Sequence, residues 1–434
     1  MKILLINPPQ PYMIEKHTQV PLGLLYLSAI IKRDSRAKKV KVIDLSDHSL
    51  EEAITKIKNS GSWDIYGFTS TTLDYPMTLK MMQILRTALN DVFFITGGIH
   101  STACSSKVKE DGWDAVFEGE SDLSILKFLK DFDSGRKDVK IYKRELVENL
   151  DLLPNPDRDE LSWLGGKILA SGNKHSINII ASRACSRGCI FCAGKVIWGR
   201  KVRWRSPENV IEEIKHCVDK YKVKIFRFSD DNMLSNKEWA YKFCELVEPL
   251  KIIWRMSVRV DDVNYEILCR LRRAGCAELG FGIESFDPNV LKILNKQITL
   301  EQSLLAIENS YKAHIGVRLL MMINTPGETY KYTVDQNIKC IEKMRGKFVY
   351  LSVKPLVPFP GTDIWSNPER FGVSIKTKDF SRYNMWMYHL GKNGNKKHAE
   401  ESILHIHDMT RLQQKENFNR MLKYTETLPE TQRG

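Results

Sequence analysis

Cys185, Cys189 and Cys192 stand in one short run, Ala184-Cys185-Ser186-Arg187-Gly188-Cys189-Ile190-Phe191-Cys192. The spacing Cys-x3-Cys-x2-Cys curls three thiolates toward one point, and thiolates are the usual ligands of iron–sulfur centres. Such clusters ordinarily take four cysteines, so three in one loop leave one iron open to a ligand that is not cysteine. Chemistry would happen at that open corner. A zinc site is the competing reading. It needs a fourth nitrogen or sulfur to close a tetrahedron, and the nearest histidines, His175 and His216, have no zinc-finger spacing to the cysteines.

More reactive side chains fall where strand-like stretches end, which in parallel α/β barrels is where catalytic groups gather. Asp230 and Asp231 close Phe228-Ser229-Asp230-Asp231-Asn232; two acids there either meet a ligand's amino group or cap the next helix. Arg259 closes Ser257-Val258-Arg259, and a guanidinium suits a carboxylate through a two-pronged fork. Glu284 ends Gly280-Phe281-Gly282-Ile283-Glu284-Ser285, with Lys296 shortly beyond; the two can serve a ligand or pair with each other. Two turns follow, Asn324-Thr325-Pro326-Gly327-Glu328-Thr329 and Pro358-Phe359-Pro360-Gly361-Thr362.

Together these motifs resemble the radical S-adenosylmethionine (SAM) superfamily, and the resemblance runs to the turn at Thr362. It implies a [4Fe-4S] cluster held by Cys185, Cys189 and Cys192, with SAM chelating the open iron through its amino and carboxylate groups. It further implies reductive cleavage of SAM to methionine and a 5′-deoxyadenosyl radical. By the same resemblance Phe191 lies beside the adenine, Asp230 and Asp231 lie about the SAM amino group, Arg259 lies near the ribose or carboxylate, and Glu284 and Lys296 are SAM contacts. Asn324 replaces the family's usual glycine, and asparagine is the next best residue for positive φ. No catalytic acid, base or radical-quenching residue is assigned.

Ahead of the cysteines, Ile6-Asn7-Pro8-Pro9, Pro21-Leu22-Gly23-Leu24, Gly97-Gly98-Ile99-His100 and Glu118-Gly119-Glu120 sit at segment ends. Glycines there permit close backbone approach to a ligand, or simple tight turns. These segments resemble the cobalamin-binding-type domain in front of many radical SAM barrels, which implies cobalamin contacts at Gly97, Gly98, Glu118 and Gly119. The Asp-x-His-x-x-Gly motif that gives cobalt a histidine is absent. His48 and His100 lie near strand ends and read as hydrogen-bonded surface residues.

The elements that must position these groups follow from periodicity. Alternating strands and helices over residues 1–135 predict a flavodoxin-like, Rossmann-type doubly wound α/β domain of five parallel strands. Residues 136–176, interrupted by Leu153-Pro154-Asn155-Pro156, read as a linker. Residues 177–365 resume the alternation as a partial (β/α)6 barrel, opening on a strand Ile177–Ser182. Ser206-Pro207 predicts one helix start and Thr299 with Gln302 another. Residues 366–434 form a helical C-terminal extension with a helix over Arg411–Leu422. An aromatic patch of Tyr383, Trp386, Met387, Tyr388 and His389 reads as core packing or a substrate lid, and Leu428–Gly434 reads as disordered.

Composition narrows the functional class. No run of apolar residues is long enough to span a membrane, and the start of the chain is strand-like, so a soluble protein is expected. Nine cysteines, an odd number scattered over 434 residues, do not form a secreted disulfide framework; reducing cytoplasm is expected. The net charge of +13 could suit nucleic acid, but the basic runs Lys195–Arg205 and Lys392–Lys397 come with no RNA-recognition motif. RNA methylthiolation would ask for further cysteines before residue 185, where only Cys104 stands. The resemblance implies radical methylation of an unactivated carbon in a small molecule with cobalamin, fed by an electron donor such as flavodoxin or ferredoxin. The alternative keeps the radical but uses the first domain as scaffold, giving dehydration, epimerisation or rearrangement.

Overall fold

The computed structural model describes residues 1–11, 13, 20–138, 140–161, 176–386 and 402–432. Two compact units emerge, Met1–Gly166 with Ala193–Gly199, and Lys167–Cys192 with Arg200–Gly434.

In the first unit, strands β1 (Lys2–Asn7), β2 (Lys39–Asp44), β3 (Ile65–Thr69), β4 (Phe93–Gly97), β5 (Ala115–Phe117) and β6 (Ile141–Tyr142) form a parallel sheet in the order β2-β1-β3-β4-β5-β6. The order reverses at β1, and because crossovers are right-handed the helices fall on both faces. β1 therefore reads as a continuous apolar run rather than an alternation: Leu4 and Ile6 join one core with Phe68 and Phe94, while Ile3 and Leu5 join a second with Leu25 and Phe128. The expected five strands are six. Ile141–Tyr142 lies in the segment read as linker, where two residues are too short to show any period, and pairs with β5.

The second unit holds β7 (Ile177–Ile179), β10 (Ile225–Phe228), β11 (Ile253–Val258), β12 (Cys276–Glu284), β13 (Gly316–Ile323) and β14 (Tyr350–Pro355), parallel and in strict sequence order. With one crossover hand throughout, all helices lie on one face. The other is the inner face of the barrel. Ser206 caps the helix Pro207–Tyr221 by accepting from the Asn209 amide, and Thr299 with Gln302 makes a reciprocal cap on Leu300–Lys312.

The expected strand Ile177–Ser182 is broken. The Ala181 and Ser182 amides donate to the Asp230 carboxylate instead of a ladder, and β8 (Ser182–Arg183) pairs antiparallel with β9 (Arg203–Trp204). Part of the basic run Lys195–Arg205 is internal: Arg203 and Arg205 are buried, and Arg205 is ion-paired with Glu213.

The extension is not purely helical, since β15 (Val373–Ile375) and β16 (Leu404–Ile406) form an antiparallel pair before the helix Arg411–Glu426. Leu428, expected in a disordered tail, is buried, and the Gln432 side-chain amide donates to the Phe348 carbonyl at 3.4 Å. Tyr383 is fully buried among Phe359, Trp365 and Phe380, which favours core packing there. Met387, Tyr388, His389, Lys392–Lys397 and His175 lie outside the described residues. No helix among the described residues is long and apolar enough to cross a membrane.

Candidate active site

The cysteine loop is fastened by main-chain and side-chain bonds from three directions in the second unit. Asn295 Nδ2 donates to the Gly188 carbonyl at 2.9 Å. The Ile190 amide donates to Leu294 O at 3.2 Å, and the Ile190 carbonyl accepts from the Ile364 amide at 3.2 Å, just beyond the Pro-Gly-Thr turn. Arg187 reaches Asp261 at 3.3 Å and Asp262 at 3.6 Å. Asn295, Ile364, Arg187 and Asp262 were not among the expected site residues. Their contacts cross more than seventy residues of sequence, and that of Ile364 uses backbone atoms only, so none leaves a local pattern; the one signal, positive φ at Asn295 (52°), is typical of asparagine.

Cys189 is buried, Cys185 half-buried and Cys192 exposed, and none of them is in a disulfide. Burial pushes the Cys185 thiol upward, favouring the neutral form in the absence of metal. Among the described residues no three His, Cys, Asp or Glu side chains are placed to share one metal ion. The thiols are therefore not focused on a single point as their spacing suggested. A cluster does not ask for that, because each cysteine binds a different iron. A loop offering three thiols, with the Arg259 guanidinium 3.9 Å from Cys189 Sγ to donate to a ligating sulfur, fits it.

The strand ends sort into distinct roles. Asp230 is fully enclosed and accepts from the Ala181 amide at 3.1 Å, the Ser182 amide at 2.5 Å and Ser182 Oγ at 2.6 Å. Burial lifts its carboxyl to about 6 against the pull of those donors. It neither caps the next helix nor offers a free oxygen pair; it fixes the backbone entering the cysteine loop. Asp231 reaches solvent yet is hemmed in enough that burial pushes its carboxyl up, and its charge is felt at Cys185. Arg259 is buried with its fork filled by Asp261 (2.8 and 3.0 Å), and Nη2 also donates to Lys296 O at 2.7 Å. Burial works against its charge, and the Asp261 bonds more than restore it.

Glu284 and Lys296 form a buried ion pair at 2.8 Å. Glu284 sits at φ 66°, where the ladder to β13 shifts register, and a Cβ on Gly282 would stand 2.8 Å from Glu284 Oε1 and 2.9 Å from Lys296 Nζ. Only glycine leaves the pair its room. Phe191 is half-buried in the loop. Asn324 takes φ 58° as its substitution for glycine requires, and Glu328 accepts from the Thr325 amide and from Asn417 of the C-terminal helix.

Comparison with known proteins places these features in a family. Residues 179–346 match the radical SAM superfamily model and residues 16–127 the B12 binding domain model. An uncharacterised methyltransferase of Pyrococcus horikoshii is 30% identical over 387 residues, covering 84% of this chain and 82% of that one. The chain belongs to the cobalamin-dependent radical SAM methyltransferase family. An anaerobic magnesium-protoporphyrin IX monomethyl ester cyclase of Rubrivivax gelatinosus is 26% identical, covering 84% and 68%. In fold, the chain resembles the radical SAM methyltransferase TsrM of Kitasatospora setae, solved with cobalamin and a [4Fe-4S] cluster, at TM-score 0.69 and 15% identity over 87% of this chain and 78% of that one. It also resembles the cobalamin-dependent radical enzyme OxsB, at TM-score 0.65 and 16% identity over 85% and 56%.

The cobalamin contacts were expected at Gly97, Gly98, Glu118 and Gly119, which the structure puts at the carboxyl ends of β4 and β5, next to that of β3. Those ends carry hydroxyls: Ser101 Oγ lies 3.2 Å from Ser70 Oγ and 3.1 Å from Thr96 Oγ1, and Thr102 Oγ1 accepts from the Gly119 amide at 2.8 Å. The glycines are needed for protein packing: a Cβ on Gly98 (φ 98°) would stand 2.6 Å from Ser70 O, and one on Gly119 (φ 70°) 2.5 Å from the Arg144 chain. Gly97 ends β4, and Glu118 pairs with Lys143 at 2.7 Å. His100 corrects the surface reading. It is buried, stacked on Tyr75 at 4.1 Å with Nδ1 3.2 Å from Thr72 Oγ1, and burial lowers its imidazole to about 4. His48 is engaged by Lys56 and Asp47. Ser70, Thr96 and Ser101 are themselves buried, so the part of this edge open to a ligand is the half-exposed Gly97, Gly98, Thr102 and Glu118, whose polar groups fit the corrin's amide periphery; among the described residues His100 is engaged by Tyr75 and Thr72 rather than turned to cobalt.

Proposed function

We propose that this enzyme methylates a carbon of a small molecule, using SAM both as radical source and as the origin of the methyl group, with an electron supplied by a flavodoxin or ferredoxin in reducing cytoplasm. When bound, the cluster and SAM supply a 5′-deoxyadenosyl radical and cobalamin supplies the methyl group. The observation that carries the reading is the fastened cysteine loop in a chain that also bears a B12 binding domain. Nine cysteines, none of them in a disulfide, support the reducing compartment.

The protein's own part is positioning. Asp230 holds the backbone at the entrance to the loop, Asn295 and Ile364 hold its middle and far end, and Arg259 sets a positive charge beside Cys189 while bracing Lys296 through its carbonyl. Asp231, solvent-accessible and close to Cys185, is the acid best placed to meet the SAM amino group. The Glu284–Lys296 pair offers SAM one cation and one anion already fixed in space, so little ordering is left to be done on binding. Phe191, next to Cys192, gives an adenine ring an apolar face.

The test uses anaerobically reconstituted protein, reductant and SAM alone. Methylation predicts that S-adenosylhomocysteine and 5′-deoxyadenosine both appear, and that omitting cobalamin abolishes the first only. One observation favours a second reading, radical chemistry without methyl transfer: the Rubrivivax relative is named a cyclase. 5′-Deoxyadenosine with no S-adenosylhomocysteine in the presence of bound cobalamin would select it.

A further inference from the structure

Among the described residues the inner face of the barrel carries more positive than negative charge. Side chains alternate along a strand, and on β10, β11, β12 and β13 one set, including Phe226, Trp254, Leu279 and Val317, is buried against the helices. The opposite set contains Arg227, Arg255 and Arg318, and Lys354 stands likewise on β14. All four are partly accessible rather than sealed in the core. Register brings the three arginines together: Arg227 lies beside Arg255, Arg255 beside Glu278, and Arg318 between Gly280 and Tyr350. Lys354 pairs with Met322, further along the same face toward the carboxyl ends of the strands.

Among the described residues Glu278 is the acid that reaches these arginines. Its Oε2 lies 3.7 Å from Arg255 and 3.8 Å from Arg318, so a single carboxylate is shared by two guanidiniums at long range. Arg318 also lies over the Tyr350 ring at 4.2 Å. Among the described residues Arg227 and Lys354 have no carboxylate partner, and Arg255 Nε is buried without a hydrogen bond. The Glu284–Lys296 pair at the end of β12 neutralises itself. Burial lowers Arg227, Arg255 and Lys354, and the charge of Arg318 lowers each of them further.

Like charges gathered in a recess repel, and uncompensated charge away from bulk water is costly unless an anion completes the set. Guanidiniums are the groups best shaped to take carboxylate or phosphate oxygens in pairs. SAM does not supply such an anion well, because its sulfonium and ammonium outweigh its one carboxylate. We propose that Arg227, Arg255, Arg318 and Lys354 form the subsite for the oxyanion group of the substrate, so that this enzyme acts on an acidic small molecule bearing carboxylate or phosphoryl groups. This rests on the reading of the barrel as the place of small-molecule radical chemistry, and it names the class of molecule.

The test is calorimetric titration of the anaerobic, reconstituted full-length protein at low salt with two probes, pyrophosphate and citrate, each with and without saturating SAM. Pyrophosphate binding alone marks a phosphoryl substrate, and citrate binding a carboxylate one. Either supports the subsite. Arg318→Gln is expected to weaken the bound probe about tenfold or more, as loss of a close charge contact does, while Lys224→Gln, an exposed control, stays within about twofold. Should Arg318→Gln fail to fold by circular dichroism, Lys354→Met gives the same reading. Three results would overturn the inference: no binding of either probe to the wild type, equal weakening by Lys224→Gln, or displacement of the probe by SAM. Because binding is read without turnover, a protein that binds the anions but releases no S-adenosylhomocysteine sinks methylation and leaves the subsite standing. One that methylates yet ignores both anions does the reverse.

Discussion

Replacing Glu284 with glutamine separates what the buried ion pair does for the fold from what it does for SAM. Glu284 and Lys296 meet at 2.8 Å with side chains only 11% and 7% exposed. At an effective dielectric near 20 their gross attraction is about 6 kcal/mol, but desolvation of two ions returns much of it. The measurable consequence lies in removing one partner. Glu284→Gln leaves the Lys296 ammonium buried without its counter-ion and is expected to cost about 3–5 kcal/mol in urea denaturation. Glu284→Gln with Lys296→Met removes both charges and should return to within about 1 kcal/mol of wild type, because a neutral replacement of a buried pair is often tolerated. SAM affinity is expected to behave differently: with the proposed role of the pair, both proteins should lose it, since neither presents the paired charges. A single variant costing under about 1 kcal/mol, or a double variant as unstable as the single, would refute the coupling. A double variant that binds SAM as the wild type does would refute the pair's role in binding.

Three further outcomes follow from the structure. Gly275→Ala should destabilise by at least about 3 kcal/mol in the same assay, because φ is 94° and a Cβ would lie 2.1 Å from the Ile252 carbonyl. Burial lifts the Glu328 carboxyl to about 7, so protonation is favoured in the fold. Its stabilising contribution is whole below about pH 4.5 and is lost as pH rises through 7, a difference of up to about 3 kcal/mol; subtracting the pH–stability curve of Glu328→Gln should isolate this fall, and a flat difference would contradict it. Asn295→Gly keeps the backbone free to hold φ 52° but removes the bond to Gly188; it should cost about 1 kcal/mol in stability and shorten the lifetime of the reconstituted cluster, read from its visible absorbance.

Much of this was legible in the sequence because it is local. The caps at Ser206 and Thr299, the positive φ at Asn324 and the long strands of both sheets announce themselves within a few residues. What escaped is of two kinds. Two- and three-residue elements, such as Ile141–Tyr142 and the Val373–Ile375 pair with Leu404–Ile406, are too short to carry a period and exist only because a neighbour's edge accepts them. Partner choice across the fold also escaped. Asp230 and Arg259 stand at the strand ends where ligand contacts were expected, yet Asp230 spends its oxygens on the Ala181 and Ser182 backbone and Arg259 its fork on Asp261. Residue type and place limit such a side chain to accepting or donating, and only the folded chain says to whom.

The central claim is that Cys185, Cys189 and Cys192 hold a cluster that cleaves SAM. Its most direct test is iron and sulfide content with 5′-deoxyadenosine formation, measured anaerobically on reconstituted wild type and Cys189→Ala, with circular dichroism to confirm the fold. The wild type should carry a [4Fe-4S] cluster and release 5′-deoxyadenosine on reduction with SAM, and Cys189→Ala should lose both. Retention of either by Cys189→Ala, or an intact, reducible wild-type cluster that yields no 5′-deoxyadenosine, would contradict the account.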